Sequence, residues 1–368
     1  MKRRRLALHE VMARHGVGHA LLYGAERAGS AVPWLSGWPV TREAALLVTP
    51  GEPDLLFVQF FNHVPLAAEL ARDAEVRWGG PDTMAAVCEA LEWRAAGRPR
   101  LGVIGSLPFR SYETLARSAD PVDLGAEYVS LRLRKSAEEL AWTVEGARLS
   151  DLGIAALESG VRAGITEYEL VDLVERAYVP LGGTTHIHYF GVTSMAEPRR
   201  AVPAQFPSGR RVRPGDALTL ELSASFWGYP GQVLRTWTVE AEPTPLYRRL
   251  HDAADEALDA MLGVLRDGAH PGELVFAASV IEDAGFTTCD DLVHGFGGGY
   301  LPPVLGSPSR RHGPVPDMRL RAGMTLVLQP NVVTPDGRAG VQTGELVAVT
   351  RDGYRRLHTA PRGLRRLG

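Results

Sequence analysis

The sequence predicts two domains, an α/β domain over residues 1–130 and an α+β domain over residues 131–368. Three observations lead to this prediction. Apolar runs of strand length alternate with helical segments up to about residue 130. A capping box, Ser136 with Glu139 three residues later, then marks the start of a long helix. Further along, residues 215–239 have the alternating pattern of a β-hairpin.

Composition limits the class of protein. The chain has 368 residues, of which 45% are hydrophobic and 23% charged, as is ordinary for a globular protein. A net charge of −3 gives no reason to expect a nucleic-acid or anionic-membrane partner. Two cysteines cannot form a disulfide framework, and neither a signal peptide nor a membrane span is evident. A cytoplasmic protein is therefore expected.

The first domain is predicted as a central sheet with flanking helices. Its apolar runs are bounded by turn residues such as those at 51–53. The predicted strands cover residues 19–24, 44–50, 54–60, 76–78 and 100–105, and the predicted helices cover residues 5–15, 64–72 and 83–97.

The second domain contains a weak internal repeat. Residues 157–177 and 265–285 each carry two glycines four positions apart, between a long helix and a shorter one. Thr166 and Glu169 form a second capping box, and Thr244 caps the second long helix. Two interpretations remain open, a coincidence between two helix–turn–helix units and an internal two-fold symmetry.

The hairpin places a carboxylate in the middle of a strand. Leu218, Leu220 and Leu222 alternate with polar residues, so that Glu221 faces away from the leucine row. The glycine- and proline-containing residues 227–231 predict the turn, and the second strand is predicted over 232–239.

This hairpin, GD…L-x-L-E-L-S…GY…Q-x-L-RT, resembles the strand pair of the pita-bread superfamily, in its creatinase, aminopeptidase P and prolidase branch. Further matches are R-x-x-K-S-x-x-E at residues 132–139, WLSG at 34–37, and the strands at 321–333 and 340–350. The resemblance implies a creatinase-type α/β amino-terminal domain, an α+β pita-bread catalytic domain with pseudo-two-fold symmetry, and a homodimer.

In the metallopeptidases of this superfamily, five side chains hold two metal ions. The resemblance assigns these positions to Glu221, Gln232, His294, Gln329 and Gly344. Only two of the five residues are ionisable, and neutral amides are poor replacements for carboxylates. No metal and no other cofactor is therefore expected, and conventional Xaa-Pro peptidase activity is not expected.

Proton transfer then falls to the side chains themselves. His294 precedes a glycine run and is the first candidate for a proton carrier. Glu221 is predicted as a general base, an orienter of His294 or an anchor for a cation, unless it pairs with Arg235. The superfamily's auxiliary histidine position is Ala204 here, and either His186 or His188 could replace it. These two histidines are expected to point the same way on one strand.

The remaining candidates are predicted to bind substrate. Amides at former carboxylate positions suit hydrogen bonding to an amide, a urea-like group or a carboxylate. The predicted substrate-binding residues are His186, Gln232, Arg235, Gln329, Tyr300 and Glu345, the last although its strand position faces away from that of Gly344.

The sequence therefore predicts a metal-independent, creatinase-like hydrolase that cleaves a C–N bond of a small polar substrate. A lyase or cyclisation reaction remains open. One alternative is a non-catalytic binding protein on the same fold. Another is a mononuclear metal enzyme, with His188, Glu221 and His294 as ligands.

Overall fold

A computed structural model describes residues 1–368, which divide into two compact units, Met1–Arg132 and Leu133–Gly368. None of its helices is both long enough and apolar enough to cross a membrane.

The first unit is built on a six-stranded mixed sheet in the order β4-β3-β2-β1-β5-β6. Apolar side chains are buried on both faces of this sheet, as expected for an α/β domain. The strands are β1 (His19–Gly24), β2 (Ala44–Val48), β3 (Asp54–Val58), β4 (Ala74–Trp78), β5 (Arg100–Ile104) and β6 (Asp120–Asp123). The helices are α1 (Lys2–His15), α2 (Ala31–Ser36), α3 (Val64–Leu70), α4 (Thr83–Arg94), α5 (Phe109–Ser118) and α6 (Gly125–Leu133), which ends at the boundary.

The second unit is built on a nine-stranded sheet, in which seven strands follow the order β12-β11-β13-β15-β9-β8-β7. Strand β16 pairs with β15, β17 pairs with β9, and β10 and β14 form a separate pair. The strands are β7 (Thr184–Ser194), β8 (Asp216–Phe226), β9 (Tyr229–Val239), β10 (Thr287–Thr288), β11 (Val293–Phe296), β12 (Tyr300–Leu305), β13 (Thr325–Leu328), β14 (Val332–Val333), β15 (Gly344–Val349), β16 (Tyr354–Arg356) and β17 (Arg365–Leu367). The helices are α7 (Ala137–Gly160), α8 (Glu167–Tyr178), α9 (Pro245–Val264), α10 (Pro271–Ala277) and α11 (Val280–Asp283).

Two pairs of helices cover one face of this sheet. Helices α7 and α8 pack with Leu220 and Val233 of the hairpin, and α9 and α10 pack with Leu328. Val233 and Leu328 both pair with Glu345, so the two helical layers share a face. We call this the helix face, and the opposite face, which carries Glu221, the site face. The arrangement agrees with the pita-bread fold class.

The predicted helix starts are confirmed. Ser136 and Thr166 each accept a hydrogen bond from the backbone of the glutamate three residues later, and that glutamate bonds back in both cases. Thr244 likewise caps α9. The predicted turn of the hairpin is too long, because Tyr229 already pairs with Phe226. A two-residue turn suffices since Trp227 and Gly228 adopt φ values of 49° and 78°, which match the twist of the strands.

Candidate active site

The site face brings together the residues that the superfamily motifs single out. Glu221 lies on β8 and pairs across the sheet with Leu234 of β9, two residues from Gln232. His294 lies on β11 and pairs with Val327 of β13, two residues before Gln329. Since side chains two residues apart share a face, the four polar side chains point to one side. All are buried, with 9% exposure for Glu221 and 1% or less for the others.

A chain of hydrogen bonds links three of these side chains. Gln329 donates its amide to the backbone carbonyl of Asp291 over 3.1 Å, so its Oε1 faces Gln232. Gln232 then donates one amide hydrogen to that oxygen over 3.0 Å and the other to Glu221 Oε1 over 2.8 Å. A backbone carbonyl accepts only, so it fixes the orientation of both amides. Both hydrogens of Gln232 are used, and its Oε1 is left buried without a partner.

Glu221 is held as a neutral acid. Burial raises the pKa of Glu221 to about 8, and the nearby Asp290 carboxylate adds to the shift. Burial and Asp290 also raise the pKa of Asp291, whose backbone N–H donates to Asp290 Oδ1 over 2.8 Å. One oxygen of Glu221 accepts from Gln232, so the other is available to carry the proton.

His294 is held as a neutral base. Its ring is fully buried, and burial lowers the pKa of His294 to about 4, against the opposing effects of the Gly295 carbonyl and Asp290. Nδ1 lies 3.2 Å from the Gly295 carbonyl oxygen, and Nε2 makes no hydrogen bond of standard geometry, although the Gln329 side chain lies close enough to raise the pKa of His294. The Tyr300 ring stacks on the imidazole with 3.9 Å between centroids, and Phe296 meets it edge-on.

The two strand histidines do not point the same way, contrary to expectation. Strand β7 is irregular between Thr185 and Ile187, which breaks the alternation at His186. His186 turns to the site face, where its ring lies 5.9 Å from that of Phe296. His188 pairs with Leu222 of the helix face, and its Nδ1 lies 2.8 Å from Glu175 of α8. His188 therefore does not converge with Glu221 and His294.

Arg235 and Glu345, which were predicted to contact substrate, lie on the helix face, opposite Glu221 and His294. Glu345 pairs with Val233 in the sheet and accepts from Arg235 over 2.6 Å and from Arg356 over 2.9 Å. The other N–H groups of Arg235 donate to the backbone carbonyls of Leu234, Gly344, Ala360 and Pro361. Because Arg235 is saturated in this way, it does not pair with Glu221.

Sequence reasoning missed two groups of residues. The Asp290–Asp291 pair is one, because Asp290 acts on the pKa values of Glu221, Asp291 and His294, and its place just before the strand of His294 was a usable signal. The second group supports the backbone behind Gln232. His358 Nε2 lies 2.8 Å from the Gln232 carbonyl oxygen, and Nδ1 lies 2.8 Å from Asp151. Through these two contacts the buried imidazole links β9 to α7 and holds β9 in place.

The residues present do not fit a dinuclear metal centre. Gln232 presents N–H groups, not oxygen, to Glu221 and Gln329. At Gly344 an added Cβ would lie 2.6 Å from Leu234 Cδ1 and 3.0 Å from the Leu328 carbonyl oxygen, so a side chain fits there only if that of Leu234 moves. No group of three or more histidines, cysteines or acids is arranged to hold a metal ion. The mononuclear set with His188 is not assembled either.

Comparison with known proteins agrees with the fold. Over 234 residues the chain is 27% identical to the Xaa-Pro dipeptidase of Lactobacillus delbrueckii subsp. lactis, but this match covers 63% of the chain and only 62% of that relative. The uncharacterized peptidase YqhT of Bacillus subtilis is 23% identical over 339 residues, which cover 90% of this chain and 92% of YqhT. The solved structure of a Xaa-Pro dipeptidase from Bacillus anthracis superposes with a TM-score of 0.84 at 20% identity, covering 100% of this chain and 99% of that one. The model of metallopeptidase family M24 matches residues 143–351, more than half of the sequence, and the chain therefore belongs to this family.

Proposed function

We propose that this chain is a family M24 hydrolase that cleaves a C–N bond of a small polar substrate by acid–base chemistry, without a two-metal centre. One observation carries the proposal. Two ionisable side chains on the site face have pKa values displaced in opposite directions, Glu221 to about 8 and His294 to about 4. Near neutral pH the acid is protonated and the base is neutral, the combination that acid–base catalysis requires.

The proposed steps conserve protons. His294 Nε2 accepts a proton from water as the water oxygen attacks the carbon of the C–N bond. Glu221 donates its proton to the leaving nitrogen as that bond breaks. A proton then passes from the imidazolium to the Glu221 carboxylate, and both groups regain their starting states. The unpartnered Oε1 of Gln232 suits an N–H group of the substrate.

A second candidate is the reaction named for the relatives, the hydrolysis of Xaa-Pro dipeptides. The similarity to the Lactobacillus Xaa-Pro dipeptidase favours it. The donor set at Gln232, Gln329 and Gly344 weighs against the usual chemistry of that reaction. A third possibility, binding without catalysis on the same face, predicts saturable binding and no turnover.

One comparison distinguishes the three. The purified chain is analysed for Mn, Zn, Fe and Co by mass spectrometry before and after treatment with a chelator. It is then incubated with Xaa-Pro dipeptides in added Mn²⁺ or Co²⁺, and with amide, ureido and amidino compounds in chelator. Turnover in chelator that His294→Ala abolishes supports the leading proposal. Two ions per chain with chelator-sensitive dipeptide hydrolysis would overturn it.

The oligomeric state is also a proposal. We expect a homodimer, and the single-turn helix Phe61–His63 of the first unit offers an exposed apolar side chain, Phe61, for a contact between copies. Light scattering during size-exclusion chromatography of the wild type and of Phe61→Ser tests this expectation, with a monomeric wild type as the contrary result.

A further inference from the structure

Tyr300 covers the imidazole of His294. The two rings are nearly parallel, at 14° and 3.9 Å between centroids. Beneath this stack His294 is fully buried and its Nε2 is sealed from solvent, whereas Tyr300 itself is 53% exposed. No reactant therefore reaches Nε2 while the stack is in place.

Among the side chains that contact the ring, Tyr300 is the one positioned to move. Phe296 and Gln329 are each 1% exposed and are packed inside the unit. The half-exposed Tyr300 ring can turn about χ1 into solvent without a change in the backbone of β12. The segment before it, Gly297–Gly299, carries no side chains to obstruct that movement, and all three residues have positive φ.

The chemistry around the phenol indicates what replaces it. The side chain of Asp291 is a hydrogen-bond partner of the Tyr300 hydroxyl, and the carboxyl groups of Asp291, Glu221 and Asp290 lie close enough to raise the pKa of that hydroxyl. A group that takes the place of the ring meets a flat imidazole on one side and, at its edge, the carboxyl oxygens of Asp291 and Asp290, which can accept hydrogen bonds. A planar group that bears N–H donors fits both features.

We propose that Tyr300 is a displaceable cover of His294, and that the group replacing it on the imidazole is planar and carries N–H donors, as amide, ureido and amidino groups do. This inference deepens the proposed function and rests on it for the choice of substrate. The movement of Tyr300 can nevertheless be tested without any turnover.

The test is chemical labelling of His294 by diethyl pyrocarbonate at pH 7, read by mass spectrometry of peptides. The exposed His312 serves as the internal reference. In the wild type His294 should react about tenfold or more slowly than His312, because an uncovered minor state is typically populated at about 10% or less. Tyr300→Ala should remove most of this protection while His312 is unchanged, and Tyr300→Phe should retain it. Tyr354→Ala, at a partly exposed tyrosine of β16, is the matched control.

Two additives test the ligand class in Tyr300→Ala. The compound 4-methylphenol, which has the shape of the missing side chain, should restore the protection of His294. Phenylurea should do so as well, and protection by 4-methylphenol alone would overturn the N–H requirement. A labelling rate in Tyr300→Ala within about twofold of the wild type would overturn the cover itself. If Tyr300→Ala loses its near-ultraviolet circular dichroism, Tyr300→Leu gives the same comparison. If labelling rises but no substrate turns over, the cover stands and the proposed function fails.

Discussion

Gln232 Nε2 lies 2.8 Å from Glu221 Oε1 and donates a hydrogen bond to it. In the metallopeptidases that the chain resembles, both positions carry acids that bind metal. Here Gln232 is a hydrogen-bond donor, and Glu221 is an uncharged acid. An amide beside a protonated acid places no pair of like charges in this buried site, and the hydrogen bond between them satisfies one oxygen of Glu221. The predictions below follow from this contact and from the groups around it.

Glu221→Gln should stabilise the protein more at pH 8 than at pH 5. The pKa of Glu221 is raised in the folded state, so the unfolded chain ionises first as pH rises above the ordinary value of 4.5. The wild type consequently loses stability between about pH 4.5 and 8, by an amount on the order of a few kcal/mol, and the glutamine variant avoids this loss. Urea unfolding at both pH values measures the difference. Glu256→Gln, at an exposed position on α9, should show no such pH dependence.

The proposed reaction should have a rate that is constant over a middle range of pH and falls on either side of it. It should rise with an apparent pKa near 4, as His294 loses its proton, and fall with one near 8, as Glu221 loses its own. His294→Ala should lower kcat/KM by roughly 10²–10⁴-fold, the usual contribution of one acid or base. The measurement is kcat/KM as a function of pH, on whichever of the amide, ureido and amidino compounds proves to be a substrate. A profile that rises only through pH 6–7 would speak against a buried, neutral His294.

Gln232→Glu should destabilise the fold, most strongly at high pH. The new carboxyl would face the acceptors Glu221 Oε1 and Gln329 Oε1 in place of two N–H donors. An unsatisfied buried acceptor costs about 1–3 kcal/mol, and ionisation above pH 7 adds repulsion. Thermal unfolding at pH 5.5 and 8 compares the variant with Gln205→Glu, at an exposed position. Equal stability of the two variants at pH 8 would contradict the orientation assigned to Gln232.

The buried ion pair on the helix face should contribute far more to stability than a surface pair. Arg235 and Glu345 are 2% and 0% exposed, whereas Arg148 and Glu145 of α7 are 50% and 31% exposed. Glu345→Gln leaves a buried guanidinium without its carboxylate and should cost roughly 3–5 kcal/mol. Glu145→Gln should cost about 1 kcal/mol or less. Urea unfolding of both variants tests the contrast, and similar losses would mean that Arg235 gains little from Glu345.

The sequence was most informative where the alternation of side chains along a strand alone decides which face of the sheet a residue occupies. The alternation at Leu218, Leu220 and Leu222 correctly turned Glu221 away from the helices, and the parity of β15 already set Glu345 apart from Gly344. The capping residues also predicted the starts of three helices correctly, because capping depends only on residues close together in the sequence.

The errors arose where pairing between distant segments overrides local pattern. The irregularity of β7 at His186 depends on its register with β8, which the sequence of β7 does not contain. The contacts of Arg235 could not be predicted because most of its acceptors are backbone carbonyls of residues 344 and 360–361, more than a hundred positions away. The stack of Tyr300 on His294 depends on the path of the glycine segment between them, which local pattern does not determine.

The close packing at Gly344 has an evolutionary consequence. A substitution that placed an acid there would bring its Cβ to 2.6 Å from Leu234 Cδ1, the end of a flexible side chain. The acid therefore requires the Leu234 side chain to move, or a smaller residue at position 234 that leaves a cavity in the core. Positions 344 and 234 are thus coupled, and the effect of an acid at 344 depends on the residue present at 234.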